Sequence, residues 1–423
     1  MLARLKDNIV IRNTFFLITI QFFNYVFPLL TIPYLIHVFE LELFGVISLA
    51  QLIAGYLYII TDYGFNLSGT RLVSLHRQEY AKLNEIFTHI ISSKLMLSLG
   101  AVLLGTIVVL ATPQFSNYFY FYFVMILSVA GQVFFPTWFF QGIENMKVVS
   151  IINGISRAVS TLFIFILVNE KTDLILYAYI YTLTNIVVGL SAFAWCYKKY
   201  HIQWTPIKFS IVKEYLYSGF NVFLPTFFST FFTTGGILIL GLIHGEKLVG
   251  IFNSIDKFVK AFLSLVGSFT QALFPNISNL FSVDPQKAVE SLKKNARVVL
   301  TGLFLCFLCS LVLSDLFLEI VYDASFVKYS YILHILMIWL IVSFANNFIG
   351  IQFLVGSGNS YYYRKSFLYS IVITTVLFLL IIPFQIDGLL AALVLGELAL
   401  LLILIIVIYK NQLVTKLSNE RKN

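Results

Sequence analysis

Arg157, Lys257 and Lys260 stand inside apolar stretches of the sequence, together with the acids Asp256 and Glu397. A charged side chain at bilayer depth costs at least about 2.5–3.5 kcal/mol on insertion scales, so such residues face a partner or a wet cavity. Arg157 lies about ten residues inside its stretch, close to mid-bilayer at about 1.5 Å per helical residue. Asp256, Lys257 and Lys260 lie about 10–17 Å below the outer surface by the same rise. Cations placed there suit a phosphate or pyrophosphate, because charge-assisted hydrogen bonds to phosphate oxygens strengthen away from bulk water. The structural alternative is pairing or snorkelling. Asp256 and Lys260 are four residues apart and can pair on one helix face, while Lys257 points elsewhere.

Three further features could carry chemistry. Glu397, near the middle of the last apolar stretch, suits either a proton-coupling site or a neutral carboxyl hydrogen-bonded between helices. Asp62, at the inner end of the second stretch, is a coupling candidate whose structural alternative is capping or pairing with loop arginines. Cys306 and Cys309 form a CxxC within an apolar run. They are expected to be two small residues on one helix face, since a metal or redox role needs water and further ligands. His334 reads as an interfacial histidine, and the aromatic clusters 118–123 and 361–363 as interfacial belts. Gly356-Ser-Gly358 lacks the helix and lysine of a P-loop, so no ATP, other cofactor or metal is expected to drive the chain.

The elements that must hold these residues follow from composition. The 423 residues are 59% hydrophobic and 11% charged, whereas soluble domains carry about a quarter charged residues. The apolar residues fall into runs of about 20, the length that spans a bilayer core as helix. The expected spans are 14–36, 43–65, 89–111, 119–140, 149–168 and 174–196, then 216–242, 249–276, 297–320, 331–355, 366–383 and 388–409. The loops between them leave no room for a soluble domain. Of the 28 Lys and Arg residues, only Lys171, Lys247 and Lys328 fall on the outer loops, and only Arg157, Lys257 and Lys260 within spans. All others, Lys94 included, are assigned to the inner side, so both termini are expected in the cytoplasm. The net charge of +8 therefore serves topology, and nucleic acid is not an expected partner. Arg4, Lys6 and Arg12 precede an apolar run too long for a signal peptide, which is read as an uncleaved first helix.

A repeat organises the spans. Asn24 and Pro28 match Asn221 and Pro225 as NxxxP, and Leu43-Phe44-Gly45-Val46 matches Leu248-Val249-Gly250-Ile251. The fold expected is an all-α membrane protein of about twelve transmembrane helices. They form two six-helix lobes, 1–200 and 201–423, related by a pseudo-two-fold axis along the membrane normal with a cavity between them. Pro28 and Pro225 each remove a helix hydrogen bond and are hinge candidates, with a static kink as the alternative.

Three segments carry a family resemblance. Asp62-Tyr-Gly-Phe-Asn-Leu-Ser-Gly-Thr-Arg71, Phe135-Pro-Thr-Trp-Phe-Phe-Gln-Gly-Ile-Glu-Asn-Met-Lys147 and Leu273-Phe-Pro-Asn-Ile-Ser278 resemble signatures of O-antigen flippases. These are polysaccharide transporters within the multidrug/oligosaccharidyl-lipid/polysaccharide exporter superfamily. The resemblance implies movement of an undecaprenyl-pyrophosphate-linked oligosaccharide from the cytoplasmic to the periplasmic leaflet of a bacterial inner membrane. It implies alternating access around a cationic cavity, with an ion gradient as the driving force. Its expected partners are that lipid-linked oligosaccharide, membrane lipids, a polysaccharide polymerase and a chain-length regulator. Related peptidoglycan-precursor flippases carry charges in the eighth helix, which Asp256, Lys257 and Lys260 match by span. The prenyl tail is expected to stay in lipid while the polar head crosses.

Two rivals remain open at this point. A drug or cation antiporter of the same superfamily would share the fold but favour acidic cavity residues. A membrane-embedded polymerase or ligase would need large outer loops, and the outer loops here are short.

Overall fold

A computed structural model describes residues 9–412, and the side chains of most residues before Val26 fall outside that description. Arg4, Lys6, Arg12, Asn24, Lys416, Arg421 and Lys422 are thus outside the described side chains. The described chain is helical nearly throughout, with no strand. In lipid every backbone N–H and C=O must be satisfied within the segment, which is why long apolar runs become helices.

Among the described residues, ten helical segments are long and apolar enough to cross a membrane. Two of them, Val26–Leu75 and Ser360–Lys410, run for 50 and 51 residues. That is about 75 Å of helix against a hydrocarbon core of about 30 Å. Each turns at a non-helical residue between two apolar stretches, Glu40 (φ 57°) in the first, which breaks again at Tyr63 (φ 48°) and Gly64 (φ 80°) before a short helix, and Gln385 (φ 52°) in the second. Each therefore holds two spans, giving twelve: α1 (9–39), α2 (41–62), α3 (Tyr80–Ala111), α4 (119–142), α5 (Met146–Leu167) and α6 (Leu174–Lys199). The second six are α7 (Phe209–His244), α8 (Glu246–Val283), α9 (Pro285–Val321), α10 (330–355), α11 (360–384) and α12 (386–410). The chain is a multi-pass membrane protein. Pro28 and Pro225 both lie inside continuous helix, and Thr31 Oγ1 donates to the carbonyl of Pro28 at 3.1 Å.

The described chain packs into two compact units. The first holds the residues up to Phe231 with Gly245–Gly250, and the second holds Phe232–His244 with Ile251 onward. In the first, a short helix after α2, Phe65–Leu75, packs on the end of α4. Phe65, Val73, Phe87, Trp138, Phe139 and Phe140 form one buried core there. Thr70 Oγ1 donates to the Trp138 carbonyl at 3.2 Å, and Arg77 pairs with Glu144 at 2.8 Å. The segments 62–71 and 135–147, singled out separately in the sequence, are therefore two faces of one packed block. The cause is close packing, because a Cβ on Gly142 would run into Val73 and the Thr70 carbonyl.

The repeat meets itself within the first unit. A Cβ on Gly45 would overlap the carbonyl oxygen of Glu246, and one on Gly250 would overlap that of Leu41. Each glycine thus faces the carbonyl four residues before the other glycine, the reciprocal pattern of a two-fold contact. Only a residue without a side chain permits that approach.

In the second unit, Ile277, Phe281, Phe353, Leu354, Leu400 and Leu404 form a core. The second half of α10, Asn347–Val355, is a π-helix. Ser278, from the third signature segment, reaches the carbonyl of Gly356 just beyond it at 3.4 Å.

A polar cavity around Arg157

Within the first unit, α4 does not run unbroken. Its helix stops at Val133 and resumes at Thr137. Pro136 has no N–H and disfavours helical geometry at the residue before it. The Thr137 N–H donates instead to the Phe135 carbonyl at 2.9 Å. Irregular backbone at membrane depth persists only where it is buried in protein or lines a cavity. Phe135 and Thr137 line a cavity of about 310 Å³.

The walls come from neighbouring helices. α5 contributes Asn153, Ser156, Arg157 and Ser160, spaced three, four and seven residues apart on one helix face. α6 contributes Tyr181, Thr184 and Asn185, α4 contributes Gln132 and Gln141, and α2 contributes Tyr58. α4 and α6 touch through glycine, since a Cβ on Gly131 or Gly189 would overlap the backbone of the other helix. Gln132 and Asn185 sit beside that contact, so close packing sets the position of both amides.

Part of the hydrogen-bonding capacity of this cavity is spent on the helices, as where Ser156 Oγ donates to the Ile152 carbonyl at 2.7 Å, and part is left open. Asn153 and Asn185 donate Nδ2 to carbonyls of their own helices, Val149 at 3.0 Å and Tyr181 at 2.8 Å, leaving each Oδ1 as an acceptor. The Tyr58 hydroxyl accepts from Asn66 Nδ2 at 3.1 Å, so its own proton remains to donate. Arg157 is the one residue among those lining the cavity that carries a full charge. Among the described residues it has no ion pair. A guanidinium with neutral amides and hydroxyls around it suits an anion carrying a polyhydroxylated group.

A buried pair backs the cavity. Lys94 Nζ lies 3.2 Å from Asp62 Oδ1, with Lys94 only 1% exposed. The other oxygen of Asp62 accepts from the Asn66 backbone at 3.3 Å, which links the pair through Asn66 to Tyr58. Asp62, a coupling candidate with capping or a loop arginine as the structural alternative, does accept from the first turn of the short helix at Asn66, and its ionic partner is a lysine of α3 rather than a loop arginine. Lys94 is a buried helix residue, so counting it with the inner charges hid its role.

The remaining sequence candidates lie in the second unit. Asp256 is buried and pairs with Lys260 at 2.6 Å, four residues on. Lys257 is half-buried on the same helix. Glu397 is buried in α12 and accepts from Asn346 Nδ2 at 2.6 Å; the same Nδ2 also reaches the Glu397 carbonyl at 2.8 Å. His334 Nε2 is 2.9 Å from Ser314 Oγ and 3.1 Å from the Ser310 carbonyl, which ties α10 to α9. Cys306 and Cys309 are free thiols on an apolar hollow of about 200 Å³. Among the described residues, no group of three His, Cys, Asp or Glu side chains is placed to hold a metal ion.

Sequence reasoning found Arg157 but missed its neighbours. The signal was present in Asn153, Ser156 and Ser160, a polar stripe on an otherwise apolar helix. Gln141 lay inside a recognised signature, and Gln132 three residues before it.

Comparison with known proteins places this arrangement. The fold is that of multidrug-resistance transporters of the MATE family in the MOP superfamily. An inward-facing member aligns over 93% of this chain and 96% of its own, with 13% identity and a TM-score of 0.69. An outward-facing member aligns over 97% and 96%, with 13% identity and a TM-score of 0.59. The chain itself belongs to the polysaccharide biosynthesis protein family, which it matches over residues 10–281. A relative in Escherichia coli (strain K12), described as "Putative O-antigen transporter", is 31% identical over 284 residues, 67% of this chain and 68% of the relative. A protein of the same description in Shigella dysenteriae is 26% identical over 269 residues, 64% of this chain and 67% of the relative.

Proposed function

We propose that the chain is a transporter, not an enzyme, that carries an undecaprenyl-pyrophosphate-linked oligosaccharide across the bacterial inner membrane. It moves the cargo from the cytoplasmic to the periplasmic leaflet by alternating access between two six-helix lobes. The observation that carries this reading is the polar cavity at membrane depth with one cation, Arg157, among neutral amides and hydroxyls. A sugar and its pyrophosphate cannot enter hydrocarbon unaided, because each unpaired polar group costs several kcal/mol there. Arg157 binds the pyrophosphate, and Gln132, Gln141, Asn153 and Asn185 replace water around the sugar. Lys257 and Lys260 are phosphate-binding candidates of the second unit, each to be tested on its own. Family membership and the description of both relatives support a polysaccharide-related cargo.

The test is complementation of a flippase-null strain. Arg157→Gln is expected to lose surface polysaccharide while membrane protein levels stay normal, and Arg157→Lys to restore part of it. Full complementation by Arg157→Gln would remove the head-group role. A drug or cation antiporter would call for carboxylates in the cavity, and none is among the residues lining it. Ethidium export without polysaccharide rescue would favour the antiporter.

A further inference from the structure

The first unit carries a second hollow, of about 610 Å³, between α5 and α6. Ile155, Val159 and Phe163 of α5 and Tyr179, Leu183 and Val187 of α6 line it, and all six are exposed. On each helix these residues follow the four-residue spacing of a single face. From Ile152 to Leu167, both lining residues, the groove follows α5 for about 22 Å, at about 1.5 Å per residue.

Apolar surface on a membrane helix is ordinary. What sets this groove apart is what it adjoins. Ser156, Thr184 and Val188 line both the groove and the polar cavity. Ser156 is the residue before Arg157, and all three shared side chains are small and uncharged. A molecule with an anionic head at Arg157 and a long hydrocarbon tail would thus find an apolar groove beside its head, across these three side chains.

We infer that the groove between α5 and α6 seats the isoprenoid tail of a polyprenyl pyrophosphate whose head group lies at Arg157, with Ser156, Thr184 and Val188 as the threshold between them. This rests on the lipid-linked reading above and adds to it a route for the tail within one unit. The tail then stays on an apolar surface while its head group sits in a polar chamber. Charge at the threshold would be unfavourable for the chain passing over it, and none is present.

The experiment uses the full-length protein in lipid nanodiscs. The probes are sugar-free undecaprenyl pyrophosphate, inorganic pyrophosphate as a head-only control, and phosphatidylglycerol as the competing bilayer lipid. Leu183→Trp and Val159→Trp fill the groove from positions already exposed. Each is expected to weaken undecaprenyl pyrophosphate retention by about tenfold, a change of about 1.4 kcal/mol, and to leave inorganic pyrophosphate binding unchanged. Arg157→Gln should weaken both. In a second measurement, a benzophenone attached at Leu183→Cys, in a background without native cysteines, should capture the prenyl chain. Retention unchanged by both tryptophans, or equal displacement by equimolar phosphatidylglycerol, overturns the inference. Undecaprenyl pyrophosphate that binds at Arg157 but is captured away from Leu183 overturns the groove alone. Failure of the wild-type protein to bind it at all overturns the functional reading as well.

Discussion

α4 and α10 hold the fourth place in their respective halves, and neither is a regular α-helix. α4 breaks before Pro136, and the polar groups around the break face open space. α10 widens into a π-helix instead, and its amides are buried, their N–H groups joining helices while Asn346 Oδ1, Asn347 Oδ1 and Gln352 Oε1 accept from no donor among the described residues. Asn346 donates to Glu397, and Gln352 Nε2 donates to the Thr270 carbonyl at 2.8 Å. π-Bulges are often found at functional sites, yet here the break and the bulge leave different surroundings. In the first unit the amides line an open cavity, while in the second they are buried and their N–H groups join helices. Polar residues at membrane depth therefore do not by themselves mark a binding chamber. The distinguishing feature is whether they border open space.

That contrast can be broken by mutation. The largest effect is expected from Lys94→Met, which strands Asp62 behind the cavity. Breaking a buried pair from one side costs about 3–5 kcal/mol, to be read as a loss of thermal stability in detergent. The double variant Asp62→Asn with Lys94→Met should recover most of it. A smaller loss, about 1–3 kcal/mol, is expected from Asn346→Ala, because the buried Glu397 carboxyl then loses one of its donors and keeps only Ser343. Glu397→Gln retains an acceptor for Asn346 and should stay within about 1 kcal/mol of the parent, with polysaccharide export intact. Loss of export at unchanged stability would instead make Glu397 a coupling residue and dissolve the contrast. The smallest stability change, within about 0.5 kcal/mol, is expected from Gln141→Ala, whose side chain spends nothing on the fold. Its cost should appear in export. A Gln141→Ala protein as unstable as Asn346→Ala would show that the first unit also uses its amides structurally.

The helices were legible in the sequence because runs of apolar residues leave a membrane chain few other options. The bends at Glu40 and Gln385 fell in gaps between expected spans for the same reason. Asp256 with Lys260 was legible too, since a separation of four residues places both on one face. Lys94 with Asp62 was not, because 32 residues and two helices separate them and no periodicity joins distant helices. The cavity was half legible. Arg157 stood out by charge, but the role of Gln132 and Gln141 depends on the break at Pro136 and on Gly131 lying against Gly189. Neither feature changes the hydropathy of its run.

Gly45 and Gly250 carry a consequence for the ancestry of the chain. If one ancestral gene supplied both halves, a position that touches its own counterpart had to be compatible with itself before duplication. Any side chain gained there would have collided with its twin from both directions at once. Such a site resists change twice over and offers no compensating partner to mutate, because the obstacle is main chain. Diversification of the two halves is thereby pushed outward, to the helices that can vary independently.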